Sequence, residues 1–79
     1  DPLALIDHYL AHRHHREVQV LTALEGGVDT LEAMVARIYA GLDPRLVPLA
    51  RENVLAHLVK LEHDGLVARR DGARWQLVT

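Results

Sequence analysis

The stretch that most restricts how this chain can fold runs from Arg51 to Gly65, followed at once by Leu66 to Val78. Val54, Leu58 and Leu61 recur at helical spacing, Val47 and Ala50 extend the row backwards, and Leu55 with Val59 is expected to widen it into a broad buried face. Gly65 suits the left-handed residue that stops a helix. Beyond it, Asp71-Gly72 between two short alternating runs predicts a hairpin whose turn residues take positive φ. On that turn Leu66 faces Leu77 and Ala68 faces Trp75 on the core side. Val67 with Gln76 and Arg69 with Arg74 take the other side, the two arginines opposing each other unless an anion lies close.

Upstream, helix-like pattern runs from Leu3 to Leu24 but changes phase. Leu3, Ile6, Tyr9 and Leu10 form one apolar stripe; Leu21 and Leu24, with Val18 or Val20, form another. This predicts either two helices or one long helix whose first half leans on a surface other than this core. Gly26-Gly27 ends the element, and Val28 is placed as a single extended residue beside the hairpin. Asp29 or Thr30 caps the next helix, with Asp29-Thr30-Leu31-Glu32 resembling a capping box. That helix carries Leu31, Met34, Val35, Ile38, Tyr39 and Leu42 on one face. The Gly41 to Pro44 segment breaks it; residues 44–47 form a separate turn, and the main helix starts near Pro48.

Helix, short strand, helix, helix, strand, strand describes a winged helix-turn-helix: a mainly α fold with a three-helix core and a small β-hairpin wing. At 79 residues there is one domain and one core. No apolar run reaches the roughly 20 residues that cross a membrane. The absence of cysteine excludes disulfides and thiolate metal sites and fits a reducing compartment, so the expected location is cytoplasmic. The chain begins at Asp1 and reads as cut from something larger.

Chemistry is sparse. Six histidines include His12-Arg13-His14-His15-Arg16-Glu17, which begins like the His-x-His-x-Asp-His zinc motif but has Arg16 where that motif needs Asp and Glu17 where it needs His. A polar helix face is the better reading, and no metal or cofactor is assigned to this chain. Without cysteine or serine, and with only Thr22, Thr30 and Thr79 as hydroxyl candidates of their type, no nucleophilic site is assigned. The net charge of -2 is unevenly spread: residues 1–44 hold three Arg and seven Asp or Glu, residues 45–79 six Lys or Arg and four Asp or Glu. The positive half supplies the anion or nucleic-acid candidates Arg51 and Lys60 on the long helix and Arg69, Arg70 and Arg74 on the wing. Glu52, Glu62 and Asp64 on the same helix oppose that reading.

Four blocks together carry a resemblance: Tyr9-x-x-His12-Arg13-x-x-Arg16-Glu17, Thr30 leading to Ile38-Tyr39, Asn53-Val54-Leu55-x-His57-Leu58-x-Lys60-Leu61-Glu62, and Trp75-x-Leu77. They resemble the winged-helix domain at the C-terminus of metallo-β-lactamase-fold hydrolases, in the group of lactamase-beta-like endoribonucleases and glyoxalase-II-like proteins. The resemblance implies an accessory module for a zinc-dependent catalytic domain lying upstream of Asp1, against which this domain packs beside the substrate site. It implies domain-contact roles for His12, Arg13, Arg16 and Glu17, and a helix-supporting or pocket-rim role for Asn53 and His57. It leaves substrates open, from thioesters to RNA. The alternative reading is a DNA-binding fragment of a transcription factor, and self-association of the isolated chain is a further expectation.

Overall fold

A computed structural model describes residues 1–78; Thr79 lies outside the described residues. The order is α1 (Pro2–Glu25), α2 (Leu31–Ile38), a single 3-10 turn (Pro44–Leu46), α3 (Val47–His63), β1 (Val67–Arg70) and β2 (Arg74–Leu77). The winged helix-turn-helix reading holds, and the first apolar pattern forms one long helix.

Sequence-local chemistry sets most boundaries. The Asp1 carboxylate accepts from the Leu3 N–H ahead of Pro2, and the Thr30 hydroxyl accepts from the Ala33 N–H at 3.2 Å. Thr30 therefore caps α2, and Glu32 is not the third residue of a capping box: it pairs with Arg51 instead. Asp43 accepts from the Arg45 N–H at 2.9 Å and starts the 3-10 turn at Pro44. α1 and α3 end alike. Gly27 and Gly65 take φ of 85° and 80°, while Val28 and Leu66 donate back to Ala23 and Leu61. This pattern satisfies carbonyls that a helix end leaves open. α2 stops at Ile38, earlier than its apolar spacing suggests, so Leu42 packs on the core from beyond the helix.

Two corrections and one choice between expected alternatives concern faces and register. α3 buries Ala50, Val54, His57, Leu58 and Leu61, whereas Leu55 and Val59 are 39% and 43% exposed. The buried face is rotated toward His57 because α1 packs on that flank. In α1, Val20, Ala23 and Leu24 enter the core while Val18 is exposed. The wing is slipped by one residue: Val67 pairs with Leu77, Ala68 with Gln76, Arg69 with Trp75 and Arg70 with Arg74. The loop is Asp71-Gly72-Ala73, with positive φ at Gly72 and Ala73. The slip turns β1 onto its opposite face, so Val67 is buried and Leu66 is exposed, its carbonyl accepting from the Val78 N–H, while Trp75 keeps the core side expected of it.

The opposed arginines are consequently Arg70 and Arg74, and Asp29 lies 3.7 Å from Arg70. Contact between the wing and the α1–α2 connection falls at Asp29 and Thr30, one and two residues after the expected Val28. The Trp75 N–H donates to the Asp29 carbonyl at 2.8 Å, and Thr30 bridges Arg74.

The core joins all three helices to the hairpin through Met34, Val35, Val54, Leu58, Leu61, Val67 and Trp75, among others. It sits under the second half of α1 only. Leu3, Ile6, Tyr9 and Leu10 are each more than half exposed on a helix that projects from the core, in a molecule measuring 45 × 32 × 18 Å along its principal axes. Among the described residues no helix is long and apolar enough to cross a membrane.

Candidate functional site: a cleft between the first and third helices

Spacing along α1 puts Tyr9, Arg13 and Arg16 on one flank, since residues three and four apart share a helix face. The flank of α3 that faces α1 brings buried His57 and exposed Asn53 and Ala56 opposite, and Tyr39 closes the end from just beyond α2. These side chains, with His12, line a cleft of about 340 Å³. Five of the six domain-contact candidates, His12, Arg13, Arg16, Asn53 and His57, are thus gathered in one place.

The sixth, Glu17, stands just outside and binds Lys60 at 2.7 Å. Glu17 is the more covered partner, with 16% of its side chain exposed against 44% for Lys60. Lys60 also lies 3.4 Å from Asp64. The carboxylate contacts raise the Lys60 pKa, the hydrogen bond to Glu17 contributing most.

A stacked chain of polar contacts ties the cleft together. The Arg16 guanidinium donates to the Gln19 side-chain oxygen at 2.6 Å and lies 4.4 Å above the Tyr39 ring. The Tyr39 hydroxyl in turn donates to Asn53 Oδ1 at 3.0 Å. Arg13 lies over Tyr9, with its guanidinium carbon 5.9 Å from the ring centre. Sequence reading had not assigned Tyr39 a site role. The available signal was a polar tip on an otherwise apolar helix face, a placement favouring a tyrosine whose ring is covered and whose hydroxyl is bonded.

His57 is 7% exposed. Burial pushes its pKa below 6.5; Glu17 opposes that shift, while Arg13, Arg16 and Lys60 reinforce it. The neutral imidazole is therefore the form that suits the fold. As pH falls through 6.5 the unfolded chain takes up a proton at this position before the folded chain does, so this contribution to stability is complete above 6.5 and declines below it. Urea unfolding followed by Trp75 fluorescence should accordingly show a lower midpoint at pH 5.5 than at pH 7.5, with a smaller drop in His57→Gln. An equal drop in the variant contradicts that assignment.

The other candidate group is divided. Arg51, Arg69, Arg70 and Arg74 lie around a shallow groove beside the wing, while Lys60 lies on the far side with Glu17. Arg51 pairs with Glu32 at 2.7 Å, Arg69 with Glu62 at 3.0 Å, and Arg70 approaches Asp29. Arg69 also stacks on Trp75 at 4.7 Å. Of the five, Arg74 alone has no carboxylate partner among the described residues. The exposed flank of α3 between these cations carries Leu55 and Val59.

Among the described residues no three or more His, Asp or Glu side chains come together as a metal-binding group. The histidines of α1 project from a helix and do not converge with carboxylates. The helix-turn-helix, its long third helix and the wing lie within or overlap the segment matched by one family model, residues 30–75, more than half of the chain. The chain belongs to the beta-lactamase associated winged helix domain family.

Proposed function

We propose that this domain is an accessory module of a zinc-dependent metallo-β-lactamase-fold hydrolase, docking on the catalytic domain through the first half of α1 and bordering the substrate site with the α1–α3 cleft. The observation that carries the reading is the exposed stripe Leu3, Ile6, Tyr9 and Leu10, which leads along α1 to the cleft. An apolar stripe of this length on a projecting helix is a surface for another protein element. The family's association with β-lactamase-fold proteins supports the choice of partner. The catalytic domain is placed upstream of Asp1, and zinc belongs to that domain. His12, Arg13 and Arg16 flank the docking stripe, Glu17 braces α1 against Lys60, and Asn53 and His57 form the opposite rim.

The ion pairs of Arg51, Lys60, Arg69 and Arg70 favour this reading over an independent DNA reader. A cation already paired releases fewer counterions on binding phosphate, and Leu55 and Val59 offer no hydrogen bonds to base edges.

In the parent hydrolase, joint replacement of Leu3, Ile6 and Leu10 by Asp should separate the domains in limited proteolysis and lower kcat/KM by about tenfold or more. Even one fully buried large aliphatic contributes roughly 1.5–3 kcal/mol, against 1.36 kcal/mol per tenfold. Unchanged proteolysis and kinetics would overturn the docking reading. The 79-residue chain itself should hydrolyse nothing; chelator-sensitive hydrolysis by the purified chain contradicts the accessory role.

A further inference from the structure

Arg13 and Arg16 differ from most of the basic side chains in the fold. Six ion pairs join described residues, and none of them uses Arg13 or Arg16. Both side chains are nonetheless half-buried. Arg16 gives one hydrogen bond to Gln19, and Arg13 is held by its stack on Tyr9. A guanidinium carries five N–H donors, so most of this capacity is unused by the fold.

No Asp or Glu lines the cleft. The adjacent carboxylate, Glu17, is bound to Lys60 and lines a separate depression on the other side of Arg13. Two cations partly withdrawn from water without carboxylate partners form an arrangement that an entering anion improves.

The chemistry of the lining narrows the anion. Two guanidinium groups one helical turn apart match a double negative charge, and their planar forks suit tetrahedral oxyanions. A phosphate monoester carries roughly -1.5 to -2 at pH 7. His12, Asn53 and His57 add polar groups around the same space, while the Tyr9 and Tyr39 rings supply apolar walls. The 340 Å³ volume falls within the roughly 300–1,000 Å³ range of small-ligand sites.

We propose that the α1–α3 cleft binds a dianionic phosphate, either free or as the terminal group of a small phosphomonoester, with Arg13 and Arg16 as its principal charge partners. The site lies wholly within this chain; only its position beside the parent's substrate path rests on the docking reading. In that setting it would hold the phosphate end of a ligand at the domain boundary.

The test uses the isolated chain, 15N-labelled and titrated separately with inorganic phosphate, glycerol 3-phosphate and a short oligonucleotide bearing hydroxyl ends, at constant ionic strength. Phosphate and glycerol 3-phosphate should give saturable shifts centred on Arg13, Arg16, Asn53 and His57. Tighter binding of glycerol 3-phosphate identifies a phosphomonoester site, and equal or weaker binding identifies free phosphate as the ligand. Arg13→Gln removes no hydrogen bond or ion pair of the fold and should weaken binding about tenfold or more, the loss expected for a hydrogen bond to a charged group. Arg16→Lys keeps the charge but loses the fork and should weaken it as well. Arg69→Gln should bind like the parent chain.

Absence of saturation up to about 50 mM phosphate, far above a millimolar dissociation constant, overturns the proposal, as does unaltered binding by Arg13→Gln. Preferential binding of the hydroxyl-ended oligonucleotide, lost with Arg69 and Arg74, also overturns it and transfers the anion site to the wing. None of these outcomes depends on domain docking, so failure of the phosphate site and failure of the docking reading remain distinct.

Discussion

Replacing Leu58 by Ala is expected to destabilise the domain by about 2–5 kcal/mol, the range for a large aliphatic side chain lost from a packed core. Leu58 is fully buried at the centre of α3, in a core shared by all three helices and the hairpin. Its removal leaves a cavity that no single element can close. A domain of 79 residues has only about 4–12 kcal/mol in total, at roughly 0.05–0.15 kcal/mol per residue. The variant should therefore unfold at much lower urea or be largely unfolded without it. The single tryptophan, Trp75, is buried against this core and reports the transition. Leu55→Ala, three residues earlier on the outward flank, should cost less than about 1 kcal/mol, nearer the range for surface substitutions. Equal losses at the two positions would contradict the assigned face of α3.

A second large contrast lies along α1. Val20→Asp places a carboxylate in a fully buried core position, and the cost should exceed about 4 kcal/mol, roughly a third or more of the domain's whole stability. Ile6→Asp, on the same helix but 54% exposed, should change the stability of the isolated chain by no more than about 0.5 kcal/mol. The two apolar stripes look equivalent in composition, yet only the second belongs to this core. Thermal unfolding of both variants separates them, and a comparable loss for Ile6→Asp would mean that the first stripe is covered within the isolated domain or its dimer.

Much of this architecture was legible because local chemistry and burial agree. Thr30, Asp43-Pro44, Gly27 and Gly65 act through their own backbone or side-chain geometry and mark element ends wherever the chain goes. The phase change in α1 was legible for the same reason, as a fixed helical period cannot place both stripes against one core. What was not legible depends on neighbours. Leu55 and Val59 flank Leu58 as closely as His57 does, and the position of α1 decides which flank is covered. The wing register had two solutions a residue apart. A turn with positive φ at Asp71 and Gly72 competes with one at Gly72 and Ala73, and the burial of Val67 opposite Leu77 selects the second.

The site shows the same division. The block Tyr9, His12, Arg13, Arg16 reads as one helix flank from spacing alone, and the structure sets Asn53 and His57 against it. Charge balance did not follow from position in the sequence. Most cations of the basic C-terminal half find carboxylates, Glu32, Glu17, Glu62 and Asp29 among them, whereas none of the three arginines of the acidic half, Arg13, Arg16 and Arg37, has one among the described residues. Formal charge by segment therefore pointed to the wing, and three-dimensional pairing points to the cleft.

Backbone hydrogen exchange over residues 2–12 of α1, measured in the isolated chain and again within the longer β-lactamase-fold protein proposed as its parent, tests the proposed docking of this helix most directly. Docking requires fast exchange in the isolated chain, where this half of the helix adds no residue to the buried core, and slowing by about a hundredfold or more in the parent, the effect of about 2.7 kcal/mol of added protection. Equal rates in the two settings would show that the stripe faces solvent in the whole protein and would overturn the docking.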